Sequence, residues 1–309
     1  MPGIDNREAL RVFISRYKLD ENSLTPITHG AWANAYTYER GGQKYIVRLS
    51  NARENFDRDA LARNYNSPSL PIPEILEIGE SSQGFYAISR FVEGDFFEHL
   101  GSNQFQRVLP DVVKMFKALR DVDLGATKGY GHWDAQGKGE VESWKRFLLG
   151  VNEDGRNSLI HGWRDNLKKS PIGTGDFTRL YEKLQTNVHA CPEVRNLVHS
   201  DLLNFNFIVK NNRPAAIIDW GSSIYGDSLY EIAWFLFYEP WYPQFREANL
   251  TQRILKEYQS DPTTNKANLN LRLACYQLHI GLDSIAYNSF KQNWENAKST
   301  ADYTMKIVF

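Results

Sequence analysis

Apolar residues along the chain change their spacing several times, and those changes mark out the elements. Leu10, Phe13, Ile14 and Tyr17 recur at helical intervals, and Asp5 with Glu8 three positions later forms a capping box for that helix. Short β-like runs follow at Ala35 to Tyr38, at Lys44 to Leu49 after the Gly41-Gly42 turn, at Ile75 to Gly79 and at Gly84 to Phe91. A helical stretch from Glu54 to Tyr65 interrupts them. It ends before Pro68 and Pro71-Ile72-Pro73, because proline supplies no N–H and clashes with the preceding turn. From Phe105 the period is helical again, through Val108, Leu109, Val112, Val113, Phe116 and Leu119. Gly125 to Gly139 reads as a glycine-bearing loop, and Trp144, Phe147 and Leu148 restart a helix. One β island, Leu197 to Trp220, breaks the second half before helical patterns return at Ser228 to Tyr238 and from Asn268 onward. The expected class is α+β in two lobes. A smaller β-rich lobe spans residues 1–92, a hinge lies near residue 92, and a larger, mainly helical lobe with a β-hairpin spans 93–309.

Composition narrows the function. At 309 residues with 42% hydrophobic and 24% charged positions, the chain is globular and needs no disulfide staples. Its two cysteines, Cys191 and Cys275, are too few for a disulfide framework or a cysteine zinc site. Lys and Arg total 36 against 37 for Asp and Glu, so the basic excess of a nucleic-acid binder is missing. No apolar run approaches the roughly 18 residues of a membrane span, and residues 1–5 show no basic segment leading into an apolar one. The expectation is a cytoplasmic monomer that works on a small molecule, with no nucleic-acid or membrane partner.

The β island carries the chemistry. It reads His199-Ser200-Asp201-Leu202-Leu203-Asn204-Phe205-Asn206 into an apolar run, then Asn211-Asn212, then a second run ending Ile217-Ile218-Asp219-Trp220-Gly221. Asn211-Asn212 is a hairpin turn signal. With that two-residue loop, Asp219 falls opposite Asn204, and Asn206 lies on the same face as the diagonal neighbour of Asp219. A loop one residue longer would shift this pairing. An amide oxygen and a carboxylate so placed suit a hard cation such as Mg²⁺, while Asp201, on the preceding loop, could accept a proton from a nucleophile. Phosphoryl transfer needs that division of labour.

His199-x-Asp201 with Asn206 five residues on, followed by Ile217-Ile218-Asp219-Trp220-Gly221, resembles the catalytic and metal-binding segments of aminoglycoside phosphotransferases and their kinase-like relatives. Separated blocks narrow the resemblance to the hygromycin B branch of that family. They are Cys191 to Arg195, Leu197 to His199, Gly226-Asp227-Ser228 with Tyr230-Glu231, and, in the first lobe, Leu70 to Glu74, Ile78 to Glu80 and Ile88 to Arg90. The resemblance implies a two-lobed protein-kinase-like fold with ATP as phosphoryl donor, GTP left open, and Mg²⁺ as cofactor. It implies phosphorylation of a hydroxyl of an aminoglycoside antibiotic, hygromycin B first, and hence antibiotic resistance. Two alternatives stand beside it. One is a kinase of another small molecule (an amino alcohol, sugar or macrolide); the other is a nucleotide-binding regulator, which the intact Asp201, Asn206 and Asp219 set disfavours.

Roles follow from the same resemblance. Asp201 is the catalytic base, Asn206 and Asp219 hold magnesium, and His199 braces the catalytic loop. Arg48, in Tyr45 to Leu49, stands where most kinases carry a phosphate-binding lysine, and guanidinium still pairs with phosphate oxygens. Asp59 is the expected carboxylate partner of Arg48, in preference to the nearby Glu54 and Asp57. Gly30 and Asn34 belong to the segment expected to cover the nucleotide, and Ser89 and Phe91 to the hinge whose backbone pairs with adenine. Asp227 is expected to cap a helix and Glu231 to brace the loop, while Glu239 and Asp283 are the acids expected to meet substrate ammonium groups.

Overall fold

The structure, a computed structural model, describes residues 7–27, 34–81, 84–155 and 160–308. Helices are α1 (Arg7–Tyr17), α2 (Arg53–Ala62), α3 (Ser102–Arg120), α4 (Trp144–Gly150), α5 (Trp163–Lys169), α6 (Gly175–Asn187), α7 (Leu229–Tyr238), α8 (Pro243–Glu247), α9 (Leu250–Ser260), α10 (Leu269–Phe290) and α11 (Trp294–Val308). Strands are β1 (Thr25–Ile27), β2 (Asn34–Arg40), β3 (Gln43–Ser50), β4 (Ile75–Ser81), β5 (Gly84–Arg90), β6 (Asp95–Phe96), β7 (Tyr130–Trp133), β8 (Gly139–Val141), β9 (Asn196–Val198), β10 (Phe207–Lys210), β11 (Arg213–Ile217) and β12 (Ile224–Gly226). Asp5, half of the expected capping box, lies outside the described residues. Among the described residues, no helix is long and apolar enough to cross a membrane.

The chain divides into two compact units. One takes in the chain up to Thr127, together with Trp133–Lys138 and Asp201–Ser223. Its antiparallel sheet runs β1-β2-β3-β5-β4. Alternation along β3 and β5 sends Val47, Leu49, Tyr86 and Ile88 to one face, where Phe13 of α1 packs among them at 0% exposure. A phenylalanine buried that fully contributes roughly 1.5–3 kcal/mol. A second sheet, β11-β10-β6, belongs to the same unit. The proline segment does more than stop α2: the Pro71 carbonyl accepts the Ile217 N–H at 2.8 Å and so fixes the end of β11. The expected helical tail at Arg63–Tyr65 is a tighter 3₁₀ turn.

The hairpin register differs from the expectation. Asn211 and Asn212 do form the turn, both with positive φ (54° and 58°). A bulge between Ile208 and Val209 then shifts the ladder by one, pairing Phe207 with Ile217. The next link joins the Ile218 N–H to the Asn206 carbonyl (2.9 Å), so Asp219 does not face Asn204. Bulges answer to tertiary packing as much as to local sequence, and turn chemistry alone did not reveal this one.

The second unit takes in Lys128–His132, Gly139–Ser200 and the chain from Ile224 on. Its helices pack around α10, which meets α5, α6, α7 and α11. The sequence reading missed its sheet, β8-β7-β12-β9, because β7 lies inside the expected Gly125–Gly139 loop and β8 starts at its last residue. The glycines there serve close approach. A Cβ on Gly139 would come within 2.5 Å of the Tyr130 nitrogen. In this sheet β9 pairs with β12, Val198 opposite Ile224, and β9 runs directly into His199.

Candidate active site

The loop after β9 turns back on itself through two left-handed residues, Ser200 (φ 59°) and Phe205 (φ 62°). For a residue with a bulky side chain that conformation costs on the order of 1–2 kcal/mol, so something must hold it. The arrangement brings both flanking amides onto Asp201. Asn204 Nδ2 donates to Asp201 Oδ1, and Asn206 Nδ2 donates to the Asp201 carbonyl (2.8 Å) and to Oδ2 (3.2 Å). Asn206 is buried and Asp201 is partly open to solvent. With both amide groups turned toward Asp201, each asparagine keeps its carbonyl oxygen as an acceptor toward other partners.

A second group forms around the turn after β11. Asp219 itself has φ 61°, which re-aims its side chain where the ladder ends. Helix α2 grips this turn from one face: Asp59 Oδ1 accepts the Trp220 N–H (2.7 Å), and Arg58 Nη1 donates to the Gly221 carbonyl (2.7 Å). The other Asp59 oxygen pairs with Arg48 of β3. Glu54 and Asp57 are engaged on their own helix, by Arg58 (2.8 Å) and Arg53 (3.2 Å). Asp59 is therefore the one of the three that meets Arg48. A guanidinium in so buried a place would tend to lose its proton by desolvation, but the Asp59 and Asp219 carboxylates outweigh that and raise its pKa. Asp219 is solvent-accessible yet walled by protein. That desolvation, with Asp59 close by, raises its pKa, while Arg48 and the Gly221 N–H pull against the rise. The Asp219 carboxylate thus keeps a raised pKa even with Arg48 acting on it. Together with the Asn206 amide oxygen it offers hard oxygen donors, the kind Mg²⁺ takes alongside water and phosphate.

The profile of the phosphotransferase enzyme family matches residues 23–263. The chain belongs to that family. It is 29% identical over 279 residues to hygromycin-B 4-O-kinase from Escherichia coli, across 89% of this chain and 77% of the relative. The crystal structure of a thermostable mutant of aminoglycoside phosphotransferase APH(4)-Ia, in ternary complex with AMP-PNP and hygromycin B, superposes with TM-score 0.83. It is 27% identical and covers 96% of this chain and 97% of its own. The gentamicin–APH(2″)-IIa complex, at 16% identity, TM-score 0.64 and coverage of 99% and 97%, shares the fold. The phosphotransferase therefore has the kinase-like α+β fold expected from its sequence.

Of the remaining expected residues, Gly30 lies outside the described residues, as does the side chain of Asn34, whose backbone begins β2 opposite Leu49. Ser89 is buried in β5, paired with Ile46. The Phe91 N–H donates to the Lys44 carbonyl (3.1 Å), so that amide is taken by the sheet. In the second unit, His199 is fully buried and its backbone N–H, like that of Ser200, donates to Glu231 Oε2 (2.7 and 3.1 Å). Burial lifts the Glu231 carboxyl to about 7 even though both amides oppose the rise. Asp227 accepts the Leu229 N–H at the start of α7 (3.1 Å), and its other oxygen takes Arg272 Nε (2.9 Å) and the Tyr276 hydroxyl (2.5 Å).

The two acids expected to meet substrate differ. Glu239 accepts a hydrogen bond from the Thr251 hydroxyl. Asp283, on the exposed side of α10, has no ion pair among the described residues; burial by neighbouring protein raises its pKa and His132 opposes the rise. Sequence reasoning missed Arg272 and Glu98. Each had a signal: a lone guanidinium within the apolar run of α10, and a carboxylate set among Phe96, Phe97 and His99.

Proposed function

We propose that this phosphotransferase moves the γ-phosphoryl group of ATP to a hydroxyl of an aminoglycoside or aminocyclitol antibiotic, hygromycin B first, and so confers resistance. The observation that carries the reading is the similarity, along 96% of the chain, to an enzyme crystallised with AMP-PNP and hygromycin B together. The side chains support it. Asp201, held by the Asn204 and Asn206 amides, accepts the proton as the substrate hydroxyl attacks phosphorus. Arg48, fixed by Asp59, pairs with phosphate oxygens. Asn206 and Asp219 are the residues that would hold Mg²⁺, which when bound neutralises charge on the phosphates. Glu231 keeps the loop before Asp201 in place through the His199 and Ser200 amides.

In this reading residues 1–92 form the nucleotide-binding lobe and 93–309 carry the catalytic loop and substrate site. The hinge at Ser89 to Val92 meets adenine through backbone groups other than the Phe91 N–H. Asp283, a carboxylate in no ion pair among the described residues, binds an ammonium group of the drug. Use of ATP places the reaction in the cytoplasm, and the enzyme works as a monomer on a small molecule. The test is ADP release with Mg-ATP or Mg-GTP and a panel of hygromycin B, other aminoglycosides, choline, a sugar and a macrolide. Turnover is expected on hygromycin B. Activity confined to choline, the sugar or the macrolide would replace this reading with that of another small-molecule kinase, and no turnover on any aminoglycoside would end it.

A further inference from the structure

Glu98 belongs to none of the motifs above. It sits in the 3₁₀ turn Phe97–His99, 4% exposed, among rings that an aliphatic side chain would suit better. Phe97 stacks on Phe207 (4.5 Å between centroids, 8° between planes) and meets Phe105 edge-on at 5.1 Å. A carboxylate in such surroundings needs donors. Glu98 Oε1 accepts the Phe205 N–H at 2.7 Å.

Phe205 is the left-handed residue between Asn204 and Asn206, and the short segment 95–99 holds it in more than one way. Besides the bond to Glu98, the Phe205 ring lies edge-on to Phe96 (5.3 Å, 73°) and to His99 (5.5 Å, 60°). Immediately beyond, β6 pairs with β10, Phe96 opposite Ile208. Reversal of the chain at Phe205 is what lets side chains two positions apart both return to Asp201. Were Phe205 to relax to negative φ, the asparagines would no longer converge on that carboxylate.

We infer that Glu98 is a positioning residue for phosphoryl transfer: by accepting the Phe205 N–H it locks the left-handed turn that keeps Asn204 and Asn206 on Asp201. This rests on Asp201 being the base. Glu98 touches no reacting atom and acts only through the loop.

The test compares Glu98→Gln, which keeps an oxygen acceptor, with Glu98→Leu, which fills the space without one. Two readouts are taken on the full chain: hydrogen exchange at the Phe205 amide without nucleotide, and steady-state kinetics on the best acceptor of the substrate panel. Glu98→Leu is expected to lose protection at Phe205 and to lower kcat by about 100-fold, the scale of a 1 Å misplacement of a reacting group, while the KM for ATP and the melting temperature stay near wild type. Glu98→Gln is expected to restore the protection and to bring kcat back within a few-fold. Equal losses in both variants, a kcat loss that tracks melting temperature, or unchanged protection in Glu98→Leu would each overturn the inference. If the wild-type chain turns over no aminoglycoside, the proposed function fails on its own, and the exchange measurement still reports on Glu98 and Phe205.

Discussion

Asp219 and Asp227 stand eight positions apart and were built for opposite ends. Asp227 is 1% exposed and its carboxylate is spent: Arg272, Tyr276 and the Leu229 amide all converge on it. Desolvation works against the Arg272 charge, yet Asp227 beside it holds that guanidinium strongly protonated. Asp219 is accessible, sits beside a second carboxylate, and has its pKa raised by desolvation and then by that company, against the pull of Arg48. One acid is satisfied from within the fold and can only stabilise it. The other keeps a raised pKa in spite of Arg48, and a carboxylate so poised gains from a further cation.

Substitutions separate the two kinds. The largest effect is expected beside Asp219's end of the chemistry, where Asp201→Ala should cut kcat by about 10³- to 10⁴-fold with nucleotide affinity retained. Near-normal turnover would remove Asp201 from the chemistry. Asp227→Ala strands Arg272 in the interior and should cost about 3–5 kcal/mol by denaturant unfolding. A loss below 1 kcal/mol would mean that the network carries little stability. Asp219→Ala should invert that pattern: Mg²⁺-dependent nucleotide affinity, measured by calorimetry, falls at least about tenfold while the unfolding midpoint holds or rises, because repulsion with Asp59 is relieved.

A pH-dependent effect concerns Glu231, whose carboxyl is raised from 4.5 to about 7. An acid with a raised folded pKa contributes stability that is complete below its unfolded value and is lost as pH climbs through the folded one. Glu231→Gln should therefore gain on wild type between about pH 4.5 and 7, by up to ~3 kcal/mol, and hold that gain above. A difference that does not vary with pH would refute the shift.

Spacing made the principal elements and the polar cluster legible. The helical stripe of Phe13 and Tyr17, the paired runs around Gly41-Gly42, and the His199–Asp201–Asn206 interval are all local signals. That the partner of Arg48 comes from the following helix was legible, whereas the choice of Asp59 over Glu54 and Asp57 was settled only by the structure. What stayed hidden was set by partners distant in sequence. The bulge at Ile208 and Val209 answers to packing outside the hairpin, and the short strands at Tyr130–Trp133 and Gly139–Val141 are rich in the glycine that ordinarily marks loops. The bond from the Phe91 N–H to Lys44 was equally out of sight, because that partner lies on a strand far back in the chain. Glu98 and Arg272 show the same limit, since a buried charge in an apolar run announces that it has a partner without naming it.

The Asn211-Asn212 turn has a practical consequence. Four paired rungs, from Lys210 with Arg213 down to Phe207 with Ile217, separate that exposed tip from Asn206 and Asp219. A dye, an epitope or a surface tether grafted there would be insulated from the reaction by the ladder beneath it, which makes the tip a natural handle for immobilised or single-molecule assays.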